Sequence, residues 1–171
     1  MQDLTAAWEE FLGVLKLYPK AFSTLNPPCS ADTICDVERD LNFELPATLT
    51  ALLKLNNGQI LERAGIFKSV SGWDVYSRPV FLDAESMAIA YKAFIRDANL
   101  LEEFGNQEIP FAVEGRPNNF KEMFSIHRET QKVSLIWTLY DPLMPPSWGT
   151  QRLPRGKDLG EFLGRQVALY R

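Results

Sequence analysis

Histidine is nearly missing from this chain, and that scarcity removes several chemistries at once. His127 is the single histidine in 171 residues. A two-histidine metal site cannot be assembled, and neither a Ser-His-Asp triad nor a Cys-His pair is expected. Cysteine is scarce too: Cys29 and Cys35 stand six positions apart with no further Cys or His around them. That is not a zinc or redox spacing, and two free thiols are expected. Neither GxGxxG nor GxxxxGK occurs, so no phosphate-cradling loop and no cofactor is expected. No apolar run approaches the ~20 residues that cross a bilayer, and the first ten residues lack the basic and apolar regions of a signal peptide. A cytoplasmic protein is the expectation. Basic residues are also in deficit, with 18 Lys and Arg against 22 Asp and Glu, a net charge of -4. A nucleic-acid binder needs the opposite surplus to displace counterions from phosphates, so a nucleic-acid partner is not expected. A basic protein partner is compatible with this balance.

What is present is an ordinary globular composition, 46% hydrophobic and 23% charged, in a length that suits one domain. Trp8, Phe11, Leu12, Leu15 and Tyr18 recur at helical spacing and predict a first helix ended or bent by Pro19. Asn26-Pro-Pro-Cys-Ser30 reads as a rigid connector, so residues 1–28 form an arm of the same domain as residues 29–171. Ser30 or Asp32 caps a second helix that buries Ile34, Val37 and Leu41. Pro46 suits the first turn of a third helix with Leu49, Leu52 and Leu53 on its apolar face. Asn56-Asn57-Gly58 would close that helix in a left-handed cap.

Beyond Gly65 the period shortens. Ile66–Lys68, Trp73–Tyr76 and Val80–Leu82 read as short strands, and Asp83 caps a fourth helix carrying Met87, Ala90, Tyr91 and Phe94, which frays near Asn99. Ile109–Val113 reads as a strand starting at a sheet edge, because of Pro110. Strands at 120–126 and 133–140 follow, joined by a turn at Glu129–Lys132. The second has apolar residues on both faces and reads as a central strand covered on both sides. A stiff loop occupies 141–149, and a last helix starts near Asp158. The expected fold is a single α+β domain: a mostly antiparallel sheet of about five or six strands packed with four to five helices.

The order Ile34, Glu38, Leu41, Leu45-Pro46, Leu52-Leu53, Asn57-Gly58 resembles the SUKH superfamily, which includes the fungal Smi/Knr cell-wall-assembly regulators and many bacterial toxin-immunity proteins. Later pieces follow in the family's order, through the Ile109-Pro110-Phe111-Ala112 strand to the Phe162-Leu163 helix. The resemblance spans about residues 30–170. It departs after Ala112: family members commonly show a Gly-rich stretch and then an aspartate on the next strand. Here the chain reads Val113-Glu114-Gly115-Arg116-Pro117, and the strand closes Phe124-Ser125-Ile126-His127 without the aspartate. The resemblance implies a binding module without chemistry of its own, an immunity protein that covers the active site of a toxin domain. A regulatory scaffold is the alternative it implies.

Residues that could bear such a role stand in turn-like contexts. Trp73, Asp74, Tyr76 and Arg78 cluster around Gly72, Glu114 follows the proline-bearing strand, and Trp148 lies between Ser147 and Gly149. Trp, Tyr and Arg anchor protein interfaces more than other residues do, although a tryptophan in a domain is more often core than contact. Ile34, Glu38, Leu45, Pro46, Asn57 and Gly58 read as structural. His127 reads as an ordinary surface or interface residue rather than a general base. Glu9-Glu10 and Glu102-Glu103 are adjacent pairs whose side chains diverge by ~100° on a helix and cannot share one site. No catalytic or metal-ligating residue is expected. The rival class, an enzyme or small-molecule carrier, would need a pocket of convergent polar groups between sheet and helices.

Overall fold

The computed structural model describes residues 3–70, 76–137 and 151–171. Asp3 accepts the Thr5 amide at 3.0 Å and starts α1 (Leu4–Leu15), which buries Ala7, Trp8, Phe11, Val14 and Leu15. Trp8, Phe11 and Leu15 of the expected stripe lie on this face, whereas Tyr18 falls beyond the helix and is exposed. Pro19 does not end α1. It opens a separate turn, α2 (Pro19–Phe22), where its missing N–H has no partner to lose. Ser30 accepts the Thr33 amide and starts α3 (Ala31–Leu41), which Asn42 ends left-handed at φ 59°. Pro46 caps α4 (Ala47–Leu55), one residue ahead of its expected place in the first turn. Asn56 leaves α4 extended, at φ -149°. The expected left-handed cap is therefore absent there, and the positive φ falls on Gly58 instead.

Strands β1 (Ser69–Val70) and β2 (Tyr76–Ser77) form a small antiparallel hairpin. The strand expected at Ile66–Lys68 begins later, because Ile66 and Phe67 form a bend with both side chains fully buried. A second sheet has the order β3 (Val80–Phe81), β4 (Glu108–Arg116), β5 (Asn119–His127), β6 (Val133–Trp137), β7 (Gln151–Gly156). Every neighbouring pair in it is antiparallel. Strand β4 is internal, which contradicts the edge position read from Pro110. Strand β3 reaches only Ala112 and Val113, so Pro110 lies beyond it and beside a register shift. Its absent N–H breaks no ladder there. Strand β6 is buried over its first four residues, as its two apolar faces suggest. Strand β7 flanks it and was not legible in advance, since Arg152-Leu-Pro-Arg155 has no β-branched alternation and Pro154 argues against a strand. An edge position admits that proline.

Asp83 accepts the Ser86 amide at 2.7 Å and starts α5 (Ala84–Arg96). Fraying was expected near Asn99, but Asp97 caps a new helix there, α6 (Ala98–Phe104). Helix α7 (Leu159–Tyr170) closes the chain. The described residues thus hold seven helices rather than four or five, in an α+β fold. Its aromatic centre is Phe67, whose ring lies 5.7 Å from Phe11, 5.6 Å from Phe81, 6.0 Å from Phe111, 6.3 Å from Phe124 and 5.1 Å from Phe162. Helix α1, the sheet and α7 therefore share one core. Alternation along β5 turns Phe124 toward this cluster and Ser125 away from it.

Candidate functional site

The residues of the Ile34–Gly58 pattern are occupied in holding helices together. Glu38 Oε1 accepts the Leu45 amide at 2.9 Å and so fixes the turn from α3 into α4. Asn57 Oδ1 accepts the Ala84 amide at 2.9 Å, tying the end of α4 to the first turn of α5. Gly58, at φ 68°, passes so close to that turn that a Cβ would lie 2.3 Å from the Asp83 nitrogen. Only glycine fits such an approach. Ile34 and Leu45 are buried beneath. Sequence reading missed Gln59, the next residue. It is fully buried, and its Oε1 accepts the amides of Ile66 and Phe81, both at 3.0 Å. Its Nε2 donates to Thr24 Oγ1 at 2.6 Å.

At one end of the sheet a row of residues crosses three ladders: Glu114 opposite Glu122, Glu122 opposite Trp137, Trp137 opposite Gln151. Glu114 is exposed, while Glu122 is buried and accepts the Ser77 hydroxyl. Partial burial pushes the Glu114 carboxyl above its ordinary value, and the Glu122 charge pushes it further, with Lys121 opposing. Arg155 donates to the Val70 carbonyl at 2.7 Å. Its burial and the Arg165 charge lower its pKa against the pull of Glu122. The β1–β2 hairpin is therefore fastened to the sheet by Ser77–Glu122 and Arg155–Val70. Arg78 is exposed, two residues before the Val80–Val113 pairing, at the same end as Glu114. Its carbonyl accepts the Gly65 amide at 3.1 Å.

His127 stands at the opposite end of the β4–β5 ladder, paired with Glu108. Its Nδ1 accepts the amides of Glu129 and Thr130, each at 3.3 Å, and so shapes the β5–β6 turn. Among the described residues no group of three or more His, Cys, Asp or Glu could hold a metal ion. Cys29 is buried, Cys35 exposed, and both are free thiols.

Residues 28–164 match the SMI1 / KNR4 family (SUKH-1). The chain belongs to that family. No curated protein matches it.

In this SUKH-1 chain the candidate partner residues fare unequally. Arg78 and Glu114 come to one end of the sheet. The Tyr76 backbone pairs with Val70 in the hairpin. Trp73, Asp74 and Trp148 lie outside the described residues. Ser77, Glu122 and Arg155 were missed. Glu122 had a signal, since it is the lone carboxylate among Phe120, Phe124 and Ile126 on one face of its strand. No helix among the described residues is long and apolar enough to cross a membrane.

Proposed function

We propose that this SUKH-1 chain is a non-enzymatic protein-binding module, an immunity protein that neutralises a toxin domain by covering its active site. The observation that carries the reading is the charged sheet end, where Glu114 faces Glu122 across β4 and β5 with Arg78 close by in the topology. Like charges directly opposite on one face weaken a sheet. A basic group brought by a partner relieves that repulsion, which favours association and orients it. Family membership supports the same reading, and so does the commitment of the pattern residues to scaffolding rather than to a pocket.

The test is co-expression with the polypeptide encoded beside this chain in its genome. The neighbour alone should arrest growth, the pair should grow, and a complex should survive gel filtration. Glu114→Lys should weaken that complex without lowering the melting temperature of the free chain. A stable complex without any growth arrest by the neighbour would replace immunity with regulatory scaffolding. Catalytic turnover of a small molecule by the purified chain would end the binding-module reading.

A further inference from the structure

A second surface is built between α3 and α5, away from the sheet end. Cys29 lies in the field of Asp83 and Glu85 at the start of α5, and Asp40 near the end of α3 pairs with Lys92 at 2.6 Å. The two helices therefore run side by side in the same direction. Thr33, Asp36 and Asp40 repeat at helical spacing along α3, and Glu85, Ile89 and Lys92 along α5, so each helix turns one face to a common groove. The groove has a volume of about 330 Å³. Val37 and Ala88 form its buried floor, and Ile89 is left 50% exposed beside them.

The charge of the groove is unbalanced. Asp36, Asp40 and Glu85 line it with Lys92, the one cation among the lining residues, and Arg39 at the exposed rim pairs with Asp36 at 2.7 Å. Glu85 has no ion-pair partner among the described residues. The Asp40–Lys92 pair is open to solvent, with side chains 55% and 37% exposed. Such pairs contribute little and exchange readily for another cation. The distance from Thr33 to Asp40 is about 10 Å along the helix, or roughly two turns of a docked segment.

We propose that this groove seats a short basic segment of a partner protein, with an apolar side chain over Ile89 and Lys or Arg side chains against Asp36 and Glu85. Helix-in-groove recognition works this way, with apolar anchors for affinity and rim charges for orientation. The site is separate from the Glu114 end and stands or falls independently of the immunity reading.

The test uses the full chain and a short amphipathic peptide of leucine and lysine, with a leucine–glutamate peptide as its counterpart. Amide shifts in the NMR spectrum should concentrate on residues 33–40 and 85–92. Asp36→Lys with Glu85→Lys should weaken peptide binding about tenfold, whereas Glu102→Lys on α6 should leave it unchanged. Ile89→Ser should weaken it as well. Lys92→Ala should strengthen it a few-fold by removing the competing cation. Circular dichroism of each variant keeps a folding defect from passing as a binding defect. The proposal is overturned if the lysine peptide does not bind at all or binds no better than the glutamate peptide. Shifts that centre on Arg78 and Glu114, or a double variant that binds like the parent, would overturn it too.

Discussion

Arg152 on β7 reaches over two intervening strands to pair with Glu108 on β4. Ser134 and Ser125 lie on the same sheet face between them, and their short side chains leave room for the arginine arm. Ser125 Oγ also donates to Glu108 Oε2 at 2.5 Å. The carboxylate is fully buried while the arginine side chain is 40% exposed, and the Phe104 ring lies 6.0 Å from the guanidinium. This pair binds β4 to β7 on the face opposite the aromatic core.

Removing the arginine strands a buried charge, and that costs more than the pair itself contributes. Arg152→Met should lower stability by about 2–3 kcal/mol, somewhat below the range for fully enclosed pairs. Adding Glu108→Gln to it should restore part of the loss. Urea midpoints of the three proteins decide this. An unchanged midpoint for Arg152→Met would mean that the pair contributes nothing.

Two glycines should respond in opposite directions to alanine. At Gly58 the backbone has φ 68° and an added Cβ would overlap Leu82 and Asp83. Gly58→Ala should cost about 2 kcal/mol or more through strain and overlap. Gly13 lies in α1 with nothing within 4 Å of an added Cβ. Gly13→Ala should stabilise by about 0.5–1 kcal/mol by favouring the helix. Thermal unfolding of both variants measures the contrast.

Gln59 serves two amides and a hydroxyl at once. Gln59→Leu leaves Ile66 N–H, Phe81 N–H and Thr24 without it, and each unsatisfied buried group costs about 1–3 kcal/mol. A loss of about 3 kcal/mol or more is expected. Gln59→Glu keeps the acceptor and should fall between leucine and the parent. Hydrogen exchange at the Ile66 and Phe81 amides should quicken in the leucine variant, and equal exchange rates would remove Gln59 from that role.

The two shifted carboxyls predict opposite pH trends. Glu114 titrates above its ordinary value when folded, so between the unfolded and folded pKa the native state holds the extra proton. Its contribution therefore worsens as pH rises through that window. Glu114→Gln should be more stable than the parent at neutral pH and should converge with it in acid. Glu161 titrates below its ordinary value, held there first by the Lys157 amide and then by Arg165. Its contribution is complete above the ordinary carboxylate value and is lost as pH falls through the folded pKa. Glu161→Gln should erase that acid-side loss. Stability curves for both variants across the carboxylate range test each sign.

The helices were legible because their signals are local. Ser30, Asp83 and Asp158 cap the helices that follow them, and Trp8–Phe11–Leu15 shows the period of a buried face. Strand β7 and helix α6 were hidden: one carries a proline that an edge tolerates, the other depends on Asp97 capping a short run that a single long helix would have absorbed. Of the candidate site, Arg78 and Glu114 were visible as types, but nothing local showed that β3 and β4 bring them to one end of the sheet. Glu122 and Arg155 gained their significance only from partners 45 and 85 residues away.

By itself the sequence determined the α+β class, the starts of α3, α5 and α7, the Ile34–Gly58 pattern and the kinship that pattern carries, because spacing and turn chemistry act over a few residues. Only the tertiary structure decided what those residues are for. Asn57, Gly58 and Gln59 hold elements that lie far apart in the chain, and Glu38 fixes the turn from α3 into α4. The Glu114–Glu122 row and the α3–α5 groove exist because strand register and helix packing bring distant charges together. Register and packing are set by the whole core at once, so no short stretch of sequence contains them.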